Sequence, residues 1–181
     1  IMSKAIYKKD IRTCGSGNPG FTNFKRVFGN KYAWFVFVLD ILKGAVISVV
    51  AGLLFRAYVG SWALGVAYAG LFAMLGHAFP IYYGFKGGKG FLVCLSTVWF
   101  IDWRAGAIAT AVLVIMLPLT KYMSLSTMSA LVAGAVAVAA FGGLAVSIMY
   151  AVCVLFVIVR HKQNIVRLVQ GTESKFSFGK K

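Results

Sequence analysis

The stretch YAWFVFVLDILKGAVISVVAGLLF, residues 32–55, decides the fold class. It contains only two charged side chains, Asp40 and Lys43. An α-helix of about 20 predominantly apolar residues is long enough to cross the hydrocarbon core of a bilayer. The stretch therefore predicts a transmembrane helix.

Apolar runs of the same kind recur along the rest of the chain, and no internal repeat is evident. We predict further spans at 62–83, 105–119, 125–140 and 144–159. Residues 91–101 are apolar but too few for an ordinary span, which predicts a short, tilted or re-entrant helix. The expected fold is all-α, a polytopic integral membrane protein with about six transmembrane or partly spanning helices in a single membrane-embedded domain, 1–181.

The charge of the chain indicates topology rather than a nucleic-acid partner. The 181 residues carry a net charge of +15, yet only 13% are charged and 60% are hydrophobic, so no soluble domain is expected to present a basic face. Sixteen of the 19 Lys and Arg residues fall in four polar segments, 1–31, 84–91, 120–124 and 160–181. Positive charge favours the cytoplasmic side of a membrane. These segments are therefore predicted to face the cytoplasm.

The first motif, GSGNPGFTNFKRVFG at 15–29, combines glycines, which make the backbone flexible, with polar side chains. Its flexible positions are Gly15, Gly17 and Gly20. Its side-chain donors are Ser16, Asn18, Thr22 and Asn23. Arg26 adds a cation that can bind a phosphate or carboxylate through two hydrogen bonds. The alternative is an ordinary turn with a helix cap.

The second motif, GFKGGKGF at 84–91, predicts a phosphate site. The N–H groups of Gly87, Gly88 and Gly90, with Lys86 or Lys89, can surround an anion. Nucleotide hydrolysis is disfavoured, because Gly90 stands where a P-loop carries a magnesium-binding hydroxyl. The alternative is a flexible cytoplasmic turn with anchoring lysines.

The third motif, RHKQNIVRLVQGTE at 160–173, places Arg160, Asn164 and Arg167 on one face if it is a continuous helix. His161 is a candidate proton handler among cations. Glu173 is expected to neutralise a neighbouring cation. The alternative is a basic helix that touches anionic lipid.

Within the spans, Asp40 and Lys43 are three residues apart and are expected to pair. His77, near the second motif, is expected to be structural. Cys14, Cys94 and Cys153 are expected to be free thiols, and no metal or cofactor is predicted.

The chain also lacks familiar catalytic patterns: it has no H-x-x-x-x-D, no G-x-S-x-G and no carboxylate cluster. Phosphate binders without a nucleophile suit a reaction whose donor is already activated. A transporter or channel for a phosphorylated metabolite is the main alternative, but only Asp40 and Lys43 approach mid-membrane depth.

Together the three motifs, with LDILKG at 39–44 and GHAFPIYYGFKGGKGF at 76–91, resemble the bacterial acyl-phosphate:glycerol-3-phosphate acyltransferases, the PlsY family. The resemblance implies an enzyme of the bacterial inner membrane. It would transfer a fatty acyl group from acyl phosphate to the 1-hydroxyl of glycerol 3-phosphate, giving lysophosphatidic acid for phospholipid synthesis, with cytoplasmic active-site segments at 12–30, 84–91 and 160–181.

By the same resemblance, Ser16, Arg26, His161 and Asn164 serve catalysis, residues 86–90 bind glycerol 3-phosphate, and Glu173 maintains structure. The hydroxyl proton would go to His161 or to the acceptor's own phosphate. Phe21 stands where the family usually has alanine, which is expected to narrow the first loop. The family has a further span before its first motif, so the resemblance implies either that a preceding helix has been removed or that it was lost.

Overall fold

The computed structural model describes residues 2–177, which form nine α-helices and contain no strand. Two 3-10 turns, Ile11–Thr13 and Ile81–Tyr83, lie between them. The helices are α1 Met2–Tyr7, α2 Phe21–Phe28, α3 Ala33–Tyr58, α4 Trp62–Ala78, α5 Phe91–Ile101, α6 Trp103–Thr120, α7 Met123–Phe141, α8 Leu144–Arg160 and α9 Lys162–Val169.

The membrane-spanning helices follow the apolar runs. Within residues 2–177, four segments are long and apolar enough to cross a bilayer: α3, α4 with its following turn, α6 and α7. The pair α8 and α9, bent by 58°, qualifies as a fifth. Large apolar side chains such as Val46 and Leu53 are more than half exposed on α3, as expected of a surface that faces lipid.

Helix α5 is the sixth apolar helix and the centre of the bundle, because eight of its 11 residues are buried among the other spans. The loop that leads into α5 is attached to the end of α4, because the N–H groups of Gly87 and Gly88 donate to the carbonyls of Ala78 (3.0 Å) and His77 (3.2 Å). The loop therefore turns back along α4. At the far end the Trp62 indole donates to the Phe100 carbonyl at 2.7 Å. A helix of only 11 residues thus fits inside the bundle.

The N-terminal polar segment folds onto the second motif, which the sequence patterns did not reveal. Asp10 accepts from the Arg12 guanidinium at 2.6 Å, and Arg12 in turn donates to the Tyr83 carbonyl at 3.0 Å. Hydrogen bonds from Arg12 hold the pKa of Asp10 well below its usual range. Tyr7 of α1 stacks on Phe28 of α2 at 4.3 Å between ring centroids. The first two motifs are therefore held side by side at one end of the bundle.

Candidate active site

All three motifs contribute to one cavity of about 650 Å³ at this end of the bundle. Its polar wall comes from the motifs and its apolar wall from α3, α5, α6 and α7. Among the predicted site residues, those that line it are Gly15, Ser16, Asn18, Gly20, Thr22, Asn23, Arg26, Asp40, His77, Lys89, Gly90, His161, Asn164, Arg167 and Glu173. The predicted active-site segment 160–181 is described as far as Ser177, and its residues 178–181 lie outside the described part of the chain.

In the first motif, Ser16 and Arg26 are exposed at the cavity wall, whereas Asn23 is buried. The Asn23 amide accepts from the Ser16 N–H at 2.9 Å and donates to the Cys14 carbonyl at 3.0 Å. Asn23 therefore shapes the loop that presents Ser16, instead of offering a free donor as expected. Gly17 also lies outside the cavity wall, and its N–H donates to the Cys14 carbonyl.

The second motif divides its two lysines between different surfaces. Lys89 lines the cavity and donates to the side-chain oxygen of Asn164. Lys86 is exposed and, together with Gly87 and Gly88, lines a separate cavity beside α1, so the structure places these three apart from the predicted phosphate ligands of the active-site cavity. Burial lowers the pKa of Lys89 to about 8, the negative charge of Glu173 opposes this shift, and nearby arginines add to it. An anion bound beside Lys89 would stabilise its charged form.

The N–H groups of Gly87 and Gly88 are not free to surround a phosphate, which corrects the expectation for this loop. Both already donate to carbonyls at the end of α4. A Cβ at Gly87 would overlap the His77 carbonyl, and a Cβ at Gly88 would overlap the His77 ring. Close approach to His77, rather than phosphate binding, is therefore the physical reason for glycine at these positions.

The third motif is broken at His161, so the expected shared face does not form. Helix α8 ends at Arg160, and α9 leaves at an angle of 58°. The Arg160 guanidinium donates to the carbonyls of Gly87 (3.2 Å) and Gly88 (3.1 Å) and lies outside the cavity wall. Arg160 therefore supports the second motif, and of the three residues expected to share a face only Asn164 and Arg167 line the cavity.

His161 is buried at the break, with its Nδ1 2.8 Å from the Val157 carbonyl. A carbonyl oxygen only accepts, so Nδ1 carries the proton and Nε2 of the neutral ring is a hydrogen-bond acceptor. Burial and the positive charge of Lys89 lower the pKa of His161 to about 4, which keeps the ring neutral near pH 7. An acceptor nitrogen in the cavity wall can take the hydrogen of a substrate hydroxyl.

Glu173 joins α7 to α9. It accepts from Ser124 at 2.8 Å, Asn164 at 2.7 Å and Arg167 at 2.7 Å, and Arg167 forms the expected ion pair. Burial alone would raise the pKa of Glu173, but the hydrogen bonds from Asn164, Arg167 and Ser124 outweigh it and keep the pKa low. Because Glu173 stays ionised and accepts from the Asn164 amide nitrogen, the Asn164 oxygen is directed toward Lys89.

The apolar wall is formed by Leu113 and Leu117 of α6 with Trp34 and Phe37 of α3. Phe21 packs on Trp34 and Phe37, with ring centroids 5.2 and 5.4 Å apart, and so extends this wall. The cavity is thus amphipathic: cations and amides surround one part, and side chains suited to an acyl chain surround the other.

Ser124, Leu113 and Leu117 were missed at the sequence level. Leu113 and Leu117 lie in an apolar run and Ser124 ends the polar segment 120–124. Nothing in the local pattern separates a residue that faces the cavity from one that does not. The Asp10–Arg12 pair had a weak signal, since Asp10 is one of only four carboxylates in the chain.

Fold and site together define a multi-pass membrane protein with an amphipathic, cation-rich cavity at one end of its bundle. The chain matches the family model for glycerol-3-phosphate acyltransferase over residues 1–171. It belongs to this family. A glycerol-3-phosphate acyltransferase of Brucella anthropi is 38% identical over 175 residues, 97% of this chain and 84% of the relative. One of Francisella philomiragia is 39% identical over 164 residues, 91% of this chain and 78% of the relative.

Two solved structures of PlsY, an integral membrane glycerol 3-phosphate acyltransferase, have the same fold. The glycerol 3-phosphate form gives a TM-score of 0.86 at 31% identity, covering 97% of this chain and 88% of the other. The lysophosphatidic acid form gives 0.80 at 32% identity, covering 90% and 82%. The family expected from the three motifs is therefore confirmed, and the chain is a multi-pass bacterial membrane protein.

Proposed function

We propose that this protein transfers a fatty acyl group from an acyl phosphate to the 1-hydroxyl of glycerol 3-phosphate, forming lysophosphatidic acid. The observation that carries the proposal is the single amphipathic cavity in which Ser16, Arg26, Lys89, His161 and Asn164 meet beside an apolar wall. Both proposed substrates are anions, and the donor also has a long apolar chain. The family membership and the two ligand forms of PlsY support the same reaction.

The chemistry is a direct transfer. The 1-hydroxyl oxygen attacks the acyl carbon, the bond between that carbon and the phosphate oxygen breaks, and inorganic phosphate leaves. The hydroxyl proton has two available acceptors, Nε2 of His161 and a substrate phosphate. Lys89 and Arg26 offset the electrostatic repulsion between the two bound anions, and Ser16 donates a hydrogen bond to an oxygen of the acyl phosphate.

Selectivity for the donor gives the direct test of this function. With the protein in lipid, palmitoyl phosphate should give lysophosphatidic acid without added metal, and palmitoyl-CoA should give essentially none. Ser16→Ala or Arg26→Ala should lower kcat by about tenfold or more with the fold intact, since each removes a group that acts on the reacting phosphates. Product is measured by thin-layer chromatography of radiolabelled glycerol 3-phosphate.

Efficient use of the CoA thioester, or full activity of both variants, would contradict the proposed donor and site. Transport of glycerol 3-phosphate into vesicles without acylation would favour the alternative of a transporter.

We also propose that the three motifs face the cytoplasm, because positive charge is concentrated at their end of the bundle. Single cysteines at positions 17, 86 and 170 should resist an impermeant thiol reagent added outside intact cells, and one at position 60 should react. Position 86 represents the second motif because Lys86 is exposed. The parent for labelling replaces Cys14, Cys94 and Cys153. Labelling of position 86 from outside would reverse the orientation.

A further inference from the structure

Three ionisable side chains lie in contact between α3 and α4, close to the second motif. The Lys43 ammonium is 2.6 Å from the Asp40 carboxylate, which is the expected pair, and 2.5 Å from Nδ1 of His77. The side chains of Asp40 and His77 are only 15% and 12% exposed. His77 lines the active-site cavity and also the separate cavity beside α1. Charged groups at such depth are costly, which indicates that the cluster has a role.

The contact with Lys43 fixes the tautomer of the His77 ring. An ammonium has only donors, so Nδ1 of His77 must accept, and the proton of the neutral ring is on Nε2. This is the opposite tautomer to that of His161, whose Nδ1 donates to a carbonyl. Asp40 holds Lys43 in place, and Lys43 thus sets the orientation of the ring.

The His77 ring lies directly against the backbone of the second motif. The backbone carbonyl of His77 accepts the Gly88 N–H, as that of any residue at position 77 could. The ring itself contacts Gly88, because a Cβ on Gly88 would overlap the ring near Nε2. From the other side, Arg160 donates to the Gly88 carbonyl at 3.1 Å. Gly88 is therefore held between His77 and Arg160, and the next residue is Lys89.

We propose that His77 is a positioning residue that, oriented by Asp40 and Lys43, holds Gly88 and thereby aims the Lys89 ammonium at a substrate phosphate. This inference rests on the proposed function and assigns to a cluster inside the membrane a role in binding the acceptor. His77 acts through Lys89 and does not itself contact the phosphate.

A double-mutant cycle of His77→Ala and Lys89→Met tests this connection. Because a small displacement of a binding group is costly, His77→Ala alone should raise the KM for glycerol 3-phosphate about tenfold, with a smaller effect on kcat. In the Lys89→Met background the same change should alter KM by less than about twofold, since the group it positions is gone. Equal effects in both backgrounds would overturn the proposal.

Two further variants separate positioning from general damage to the fold. Gly76→Ala, next to His77, adds a Cβ with no atom within 4 Å and should leave KM unchanged. Lys43→Met keeps the ring but removes the donor to Nδ1, and should raise the KM as His77→Ala does. Lys43→Arg keeps a donor and should restore most of the affinity. Wild-type KM in Lys43→Met would contradict the role of this contact.

The tautomers provide a readout that does not depend on activity. The chain has only two histidines, so 15N-histidine spectra in lipid contain only the rings of His77 and His161, assigned with a His161→Gln variant. His77 should show a bare Nδ1 and a protonated Nε2, and the reverse would overturn the proposal. If wild-type protein made no lysophosphatidic acid from acyl phosphate, the proposed function would fail, while the spectra would still decide the state of the cluster.

Discussion

Lys89→Met should lower kcat/KM for acyl transfer by about 10²- to 10³-fold, the usual cost of removing a group that stabilises developing negative charge in an enclosed site. The Lys89 ammonium is oriented by Asn164, which is in turn held by Glu173. Lys86→Met is the matched control, since that lysine is three residues away but exposed beside a different cavity. It should retain activity within about threefold, as most surface changes do.

The same lysine predicts a pH dependence. With a pKa of about 8 in the empty site, Lys89 loses its charge as pH rises through that value, so kcat/KM should fall there. A bound phosphate favours the charged form, so the fall in kcat should lie at higher pH. In Lys89→Arg the guanidinium stays charged, and whatever activity remains should not fall near pH 8.

If Lys89→Met kept an activity within threefold of wild type, or if Lys86→Met were equally impaired, the inference that Lys89 serves the active site and Lys86 does not would be contradicted.

Gly88→Ala should lower kcat/KM about 100-fold, because the added Cβ overlaps the His77 ring and must displace either that ring or the backbone that carries Lys89. Overpacking of this kind should also cost about 1–3 kcal/mol of stability. Both effects are measured on protein in lipid, by the acylation assay and by thermal unfolding. Gly76→Ala, which meets nothing within 4 Å, is the control.

The cause of the Gly88→Ala defect can be separated from a direct loss of phosphate binding. Its N–H already donates to the His77 carbonyl, so the damage should come from the ring. In a His77→Ala background the extra Cβ has room, and the additional cost of Gly88→Ala should fall to a few-fold. An undiminished cost in that background would show that the overlap with the ring is not the cause.

The fold was largely predictable because the bilayer imposes a simple rule on each segment separately. A run of apolar residues must form a helix to satisfy its own backbone, whatever its neighbours are. The runs predicted at 62–83 and 125–140 therefore correspond to α4 with its following turn and to α7. The short α1 and α2 were not predicted, because segments of 6 and 8 residues are too short to form stable helices on their own, although Phe21, Phe24 and Phe28 of α2 recur at helical spacing.

The candidate site was predictable as a set of motifs but not as an arrangement. The motifs were expected to gather on one face, and they do line one cavity. Lys86, Gly87, Gly88 and Arg160 nevertheless have contacts other than those expected. Their partners are decided by the turn of the loop back along α4 and by the break at His161, neither of which has a periodic signature.

The sequence by itself determined that the protein lies in a bilayer, where its apolar helices run, which end of the bundle carries the cations and that Asp40 pairs with Lys43, because each depends on residues within a few positions of one another. Only the tertiary structure decided which lysine faces the cavity, which N–H groups are already used, and that His77 lies between Lys43 and Gly88. A hydrogen-bonding group is available to a substrate only if no other part of the chain has satisfied it. At this site the competing partners, such as the His77 carbonyl for the Gly88 N–H, come from other elements of the fold.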